Sequence, residues 1–288
     1  MILMKPIHYA QFTPDLIEKG VFVLDMPNDV YHAYDGISKS GLDLVNRSPA
    51  HYAYAEQRKS TRAMEIGTAI HAAILEPNLF ERDYMLLRDV TDRRASEYKQ
   101  AVKALGSGER VLTGSEADRV KGMQSSVQSN KDAMHYLNQD GFAELSALVR
   151  CPNTGVILRA RFDWITMDGI SIDVKKTQDV RYEAFQKSIA NYRYHVQDGF
   201  YSYVFELITG KPLKAFKFLA VEEMAPNSSK LYELDDEAKA IGKRIALEDL
   251  DTYASAEISN DWQGVVHEEE LISLPMWAID EDDLGVEL

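Results

Sequence analysis

A chain of 288 residues with 45% hydrophobic and 10% aromatic content can bury the core of one large domain or two small ones, which excludes disorder throughout. The single cysteine, Cys151, excludes an internal disulfide and a thiolate-held Fe–S cluster, and no stretch nears the roughly 18 apolar residues of a membrane span. The net charge of −14 argues against a nucleic-acid partner. Yet Glu233 to Leu288 holds 17 acidic and 3 basic residues, leaving residues 1–232 with 29 of each sign, so the body is free to carry a local basic groove. The start, MILMKPIHYAQF, shows no small-residue cleavage site. The expectation is a soluble, cytoplasmic protein with no membrane partner.

Residues 1–36 read as strand and turn. Ser38 suits the N-cap of a helix through SGLDLVNR, and Ser48-Pro49 restarts a helix with proline in its first turn. TRAMEIGTAIHAAILEP predicts a helix from about Thr61, stopped by Pro77. Residues 91–140 are polar and read as helical. Three strands follow, at 142–150, 156–167 and 170–176, with turn signals at PNTG and at Asp168-Gly169. Residues 181–210 read as mostly helical, 214–222 as a fourth strand, YEL (232–234) as a fifth, and 235–250 as a helix. This order predicts an α/β (α+β) fold, a sheet flanked by helices. The expected division is an N-terminal segment (1–36), a main domain (37–255) and an acidic tail (256–288), with Trp262 and LPMWAI docking on the body or on a neighbouring subunit.

The third strand, ISIDVKK, poses the central question, because charge inside a sheet is costly unless paired or coordinated. Asp173 and Lys175 are two apart and share a face. A three-residue loop, Met167-Asp168-Gly169 with Gly169 left-handed, places Asp163 opposite Asp173; a two-residue turn puts it on the wrong face. Two carboxylates with few other ligands suit Mg²⁺ or Mn²⁺, and a neighbouring lysine is able to orient or deprotonate a water, its pKa responding to its surroundings. That is phosphodiester-hydrolysis chemistry. The plainer alternative is a solvated strand face with an ion pair between Asp173 and Lys175.

Four other features bear on that choice. His71 lies in GTAIHAAILEP, four residues after Gly67, where a glycine permits close backbone approach, although a lone histidine on an apolar helix is commonly structural. Gln197 and Tyr201 are one helical turn apart. Arg159 and Arg161 flank Asp163 and suit phosphates or neighbouring carboxylates. Ser38 and Ser40 at a helix start suit a terminal phosphate, or capping alone.

Together, the order G-x-x-x-H, Asp, D-x-K and Q-x-x-x-Y resembles the RecB-like branch of the PD-(D/E)XK nuclease superfamily. The wording ISKSGLDLVNRSPAHY, IGTAIHAAILEP, RARFDWI, IDVKKT and YHVQDGFY resembles the RecE-type exonucleases of phages and prophages. The resemblance spans roughly residues 30–222. It implies a twisted mixed sheet, a pair of Mg²⁺ ions replaceable by Mn²⁺, and 5′-to-3′ digestion of linear double-stranded DNA that leaves 3′ single strands for annealing. It implies His71, Asp163, Asp173 and the Val174 carbonyl as metal ligands, Lys175 as the catalytic lysine, and Gln197 and Tyr201 as site supports contacting DNA. Glu144 in FAELS is a further acid or an outer support. A ring-shaped homo-oligomer, tetramer or trimer, and a RecT-like single-strand annealing partner are implied as well. A single-strand or flap nuclease and an inactive DNA-binding module are the alternatives.

Overall fold

The computed structural model describes residues 4–56, 60–265 and 269–274. The N-terminal segment enters the main sheet: strands Ile7–His8 (β1) and Val21–Leu24 (β2) pair in parallel, and β2 continues onto a later strand. A short helix, Asn28–Ala33 (α1), stands where strand and turn were expected. Helix Lys39–Arg47 (α2) does start after Ser38, but the Ser38 hydroxyl lies 3.0 Å from that of Ser40 and caps no helix amide. Helix Pro49–Ala53 (α3) is capped by Ser48, and Arg62–Leu75 (α4) by Thr61, whose hydroxyls accept from the amides of His51 and Met64. Pro77 both ends α4 and opens Pro77–Asp83 (α5), because the first turn needs no donor from it.

Between residues 84 and 140 lies a small parallel ribbon, Met85–Leu87 (β3) with Val111–Thr113 (β4), enclosing helix Ser96–Leu105 (α6). Helices Gly114–Ser129 (α7) and Lys131–Leu137 (α8) follow. Strands of three residues have no periodicity to read, which is why β4 falls inside the helical run expected over 91–140 and β3 was assigned no element.

Strands Gly141–Arg150 (β5), Ile157–Thr166 (β6) and Ile170–Thr177 (β7) form an antiparallel meander. The β6–β7 loop has three residues, with Gly169 at φ +90°. Pairing of Trp164 with Ile172 and of Ile165 with Ser171 sets the register that aligns Asp163 with Asp173, as the three-residue loop requires. The helical run after β7 is two helices, Tyr182–Asn191 (α9) and Tyr194–Thr209 (α10), broken at Tyr192-Arg193. Arg193 takes a left-handed backbone at φ +53°, and its guanidinium is anchored to Asp43, Asp249 and the Leu42 carbonyl. The α9–α10 crossover leads to Ala215–Glu222 (β8), parallel to β7, then to Ser229–Glu233 (β9) and to Asp236–Ser259 (α11), which is capped by Asp235.

The result is a seven-stranded mixed sheet in the order β1-β2-β5-β6-β7-β8-β9. One face carries a core of Leu145, Phe162, Phe200, Val204 and Phe205 beneath α10, α11 and α2. The other packs Ile172, Val174, Leu219 and Val221 against Ile70, Ala73, Val120 and Met123 of α4 and α7. Helices α10 and α11 nearly touch at Gly199 and Gly242; a Cβ on Gly242 falls 1.9 Å from the His195 carbonyl oxygen, so only glycine permits this crossing. Trp262 stacks on Tyr52 and lies against Tyr253. The remainder of LPMWAI after Leu274, and the acidic end, lie outside the described residues. Among the described residues no helix is long and apolar enough to cross a membrane.

Helix α4 is fixed at its start by Arg62. Its guanidinium donates to Glu116 at 2.6 and 2.7 Å, to Glu65 at 2.8 Å, and to the Gly108 and Val111 carbonyls. Burial works against ionisation of Glu116, but Arg62 and the Thr113 amide draw its carboxyl down to about 2. A lowered folded-state pKa means stability present in full above the unfolded carboxyl range and lost as pH falls towards about 2. Arg62→Ala is expected to lower the unfolding free energy by about 2–3 kcal/mol in urea denaturation at pH 7. The deficit should shrink as the pH drops below about 4; a variant as stable as the parent at pH 7 contradicts this anchoring role.

Candidate active site

In a regular strand, residues two apart share a face. Ala143 and Leu145 do not: Leu145 packs in the core under α10, whereas Ala143 lies against the α4 and α7 layer. Their partners Phe162 and Trp164 divide the same way, across the pairs Leu145–Phe162 and Ala143–Trp164. Both strands therefore change face at Glu144 and Asp163. The irregularity is visible in Glu144, a non-glycine residue at φ +49° in mid-strand.

The slip brings the two carboxylates to His71 of α4. The imidazole Nδ1 is 3.5 Å from Asp163 Oδ2 and 3.7 Å from Glu144 Oε1. Beyond Trp164–Ile172 the β6–β7 ladder ends, and the Val174 amide donates at 2.8 Å to Asp163 Oδ2 instead of to a strand carbonyl. On β7, Asp173 is 2% exposed. Gln197 of α10 bridges the D-x-K pair: its Nε2 donates to Asp173 Oδ1 at 2.6 Å, and its Oε1 accepts from Lys175 Nζ at 2.8 Å. Lys175 Nζ also lies 2.7 Å from Asp173 Oδ2 and 4.5 Å from the centre of the Tyr194 ring.

The fields in this cluster oppose one another. Burial alone lowers the His71 pKa, but Asp163 and Glu144 outweigh it and hold the ring at about 9. Burial, with help from Asp173 and Glu144 and against His71, pushes Asp163 up to about 7. Burial works to deprotonate Lys175, yet Asp173 and Asp163 raise its pKa above the ordinary lysine value. Of the two roles open to Lys175, orienting or deprotonating a water, this environment favours the first, because two adjacent carboxylates favour its ammonium form. His71, Glu144 and Asp163 each offer one ligand atom, all within 4.8 Å of one another. Asp173 Oδ2 is buried with no aligned hydrogen-bond donor, since the Lys175 ammonium approaches it outside hydrogen-bonding geometry. Carboxylate oxygens plus one imidazole form a donor set that suits a divalent cation.

The other expected residues divide. Tyr201 is wedged edge-on between Phe162 and Phe216, and burial lifts its hydroxyl well above the usual range. That packing braces the half-buried ring against the sheet. Arg159 donates to the carbonyls of Tyr31, His32 and Gly36, and Arg161 to Ser146, Asn28 and the Met26 carbonyl. Both guanidinia lie over the Tyr31 ring, so they brace the 26–36 segment and are not free phosphate holders. Ser38 and Ser40 lie at the start of α2 and bond each other. A Cβ on Gly67 meets no protein atom within 4 Å, so this glycine faces open space instead of the expected close approach.

Sequence reasoning missed Lys39, which sits between the two serines. Its ammonium donates to the Tyr192 carbonyl at 2.7 Å and pairs with Asp43. Burial lowers its pKa, Asp43 opposes this, and Lys175 adds to the lowering, which places it beside the cluster. Only its place in ISKS signalled it.

Residues 38–262 match the family described as "PDDEXK-like domain of unknown function (DUF3799)", and the chain belongs to that family. The fold and the D-x-K cluster are thus those of the PD-(D/E)XK nuclease superfamily, whose members generally use divalent metals. A crystal structure described as "Putative exonuclease" from Eubacterium rectale shares the fold at a TM-score of 0.57 and 11% identity, covering 92% of this chain and 100% of that one. The structure of SSO0001 aligns at a TM-score of 0.29 and 13% identity over 76% of this chain and 86% of that one, too distant to support an argument. No curated protein matches the chain.

Two outcomes are expected. At an ordinary strand position glycine is less stable than alanine by about 0.5–1 kcal/mol. At Glu144 the left-handed backbone reverses the order: Glu144→Gly should be more stable than Glu144→Ala by about 1 kcal/mol in urea titrations, while both bind Mn²⁺ more weakly than the parent. Alanine being the more stable contradicts the strain. Metal binding, in turn, needs a neutral His71, which in the free protein carries a proton below about 9. Calorimetry in two buffers of different ionisation heat should show proton release on Mn²⁺ binding, with affinity rising as pH climbs towards about 9. An affinity constant from pH 6 to 9 contradicts this.

Proposed function

We propose that this chain is a divalent-metal-dependent exodeoxyribonuclease of the RecE type, shortening the 5′-ended strands of linear duplex DNA. The observation that carries the reading is the convergence of His71, Glu144 and Asp163, whose ligand atoms lie within 4.8 Å of one another, beside the Asp173–Lys175 pair on a fourth element. The Eubacterium rectale neighbour and the RecE-like wording of the motifs support the exonuclease over other nuclease types.

His71, Glu144, Asp163 and Asp173 would hold the cation, with Mg²⁺ the natural choice for oxygen-rich donors and Mn²⁺ its substitute. A bound cation supplies charge for the scissile phosphate and lowers the pKa of a water. Lys175, aimed by Gln197 and Asp173, presents an ammonium where an attacking water or the phosphate sits. Gln197 fixes both ends of the D-x-K pair at once, so replacing it should disorder Lys175 and Asp173 together. A ring-shaped homo-oligomer and a RecT-like annealing partner complete the proposal by resemblance. The exposed Tyr192, stacked on the Tyr194 ring that Lys175 sits over, favours a second reading, a nuclease preferring single strands or flaps.

Linear duplex labelled at the 5′ end, closed circular duplex and single-stranded DNA, each with Mg²⁺ or chelator, separate these readings. The expected result is Mg²⁺-dependent loss of label from linear duplex only, reduced at least 100-fold in Lys175→Ala. Preference for single strands supports the second reading. Intact DNA under all conditions contradicts both.

A further inference from the structure

At the C-terminal end of β7 the surface opens into a cleft of about 700 Å³ that no step of the proposed hydrolysis uses. Its walls include Lys176 and Thr177 of β7, Lys187 and Ser188 of α9, and Tyr192 and Tyr194 at the helix break. Tyr194 belongs to the cleft and to the catalytic cluster at once, since the Lys175 ammonium sits over its ring. Tyr192 stacks on Tyr194, with ring centres 5.6 Å apart and planes 26° apart, and stays 62% exposed. A tyrosine pair therefore runs from the catalytic lysine to the solvent.

This pair is held in place. The chain break between α9 and α10 follows from the left-handed Arg193, whose guanidinium is tied to Asp43 and Asp249. Lys39 donates to the Tyr192 carbonyl from the other side. An exposed aromatic ring on a braced backbone is a preorganised stacking platform. The charges that line it are equal in number, Lys176, Arg181 and Lys187 against Asp179, Glu183 and Glu223; Arg181 pairs with Asp179, and Lys176 shares Glu223 with Arg119. Such a cleft does not concentrate phosphate; it suits a flat, uncharged group. The neighbouring cluster, with its cation ligands and Lys175, is where phosphate belongs.

Inside a duplex both faces of a base are covered by its neighbours, and only the last pair presents a face, so an interior base must leave the stack before it can lay a face on a side-chain ring. We propose that the cleft receives the nucleobase and sugar of an unpaired nucleotide next to the attacked phosphate, stacked on Tyr192. One strand thus leaves the duplex before it is cut. The proposal rests on the nuclease reading and adds to it the place where the separated strand is held.

The test uses a short single-stranded oligonucleotide with a 5′ phosphate and 2-aminopurine near that end. Binding is followed by fluorescence in Ca²⁺ buffer, with the oligonucleotide checked for integrity afterwards. Quenching on binding to the parent protein is expected, with about 5- to 100-fold weaker binding by Tyr192→Ala and recovery in Tyr192→Trp. Equal affinity and equal quenching in parent and Tyr192→Ala overturn the proposal. Cleavage of linear duplex in Mn²⁺, run in parallel, separates the two failures. If the parent cuts DNA but Tyr192→Ala binds like the parent, the cleft assignment falls and the nuclease stands. If the parent neither binds nor cuts, both fall.

Discussion

Three carboxylates held against one another are unfavourable unless cations offset them, and the architecture is built around that constraint. Glu144, Asp163 and Asp173 come from three adjacent strands, and burial together with the other two carboxylates raises the affinity of Asp163 for a proton. Within the chain the cations answering them are His71, brought by α4, and Lys175, two residues beyond Asp173. The opposition is incomplete: Asp163 is pushed up to about 7 and His71 to about 9, so protons occupy places that a divalent cation would take. On the proposed reading, a site poised in this way would exchange protons for a divalent cation.

The rest of the fold holds those groups in place against their repulsion. Arg62 anchors the start of α4, and the α4–α7 layer fixes its distance from the sheet. The face slip at Glu144 and Asp163 turns two carboxylates towards His71, and the separation of β6 from β7 leaves the Val174 amide for Asp163. Close contact of α10 with α11 at Gly199 and Gly242 sets the helix from which Gln197 reaches both Asp173 and Lys175. The left-handed residue at Glu144 is where strain accompanies function, in line with the tendency of such strain to gather at sites.

Much of this was legible in the sequence because it depends on local rules. The meander, the loop with Gly169 left-handed, and the alignment of Asp163 with Asp173 follow from strand period and turn chemistry. The chain segments carrying His71, Asp163, D-x-K and Gln197 could be placed on helices and strands for the same reason. What remained hidden depends on contacts distant in sequence. The strand slip at Glu144 has no signature, since nothing in FAELS requires a left-handed residue. The break at Tyr192-Arg193 is stabilised by Asp43 and Asp249, far away in the chain. Arg159 and Arg161 read as phosphate holders because the carbonyls of residues 26–36 that they brace become neighbours only on folding. The β3–β4 ribbon was too short to show any period.

The central claim is that the slip in the sheet creates one cation site from His71, Glu144, Asp163 and Asp173. A crystal structure grown with Mn²⁺, with the ion located by anomalous scattering, tests it most directly. The account predicts a peak within coordination distance, about 2.0–2.3 Å, of both Asp163 and Asp173, with Glu144 or His71 completing the ligand set. A peak elsewhere, or none at Mn²⁺ concentrations that support DNA cleavage, would contradict it.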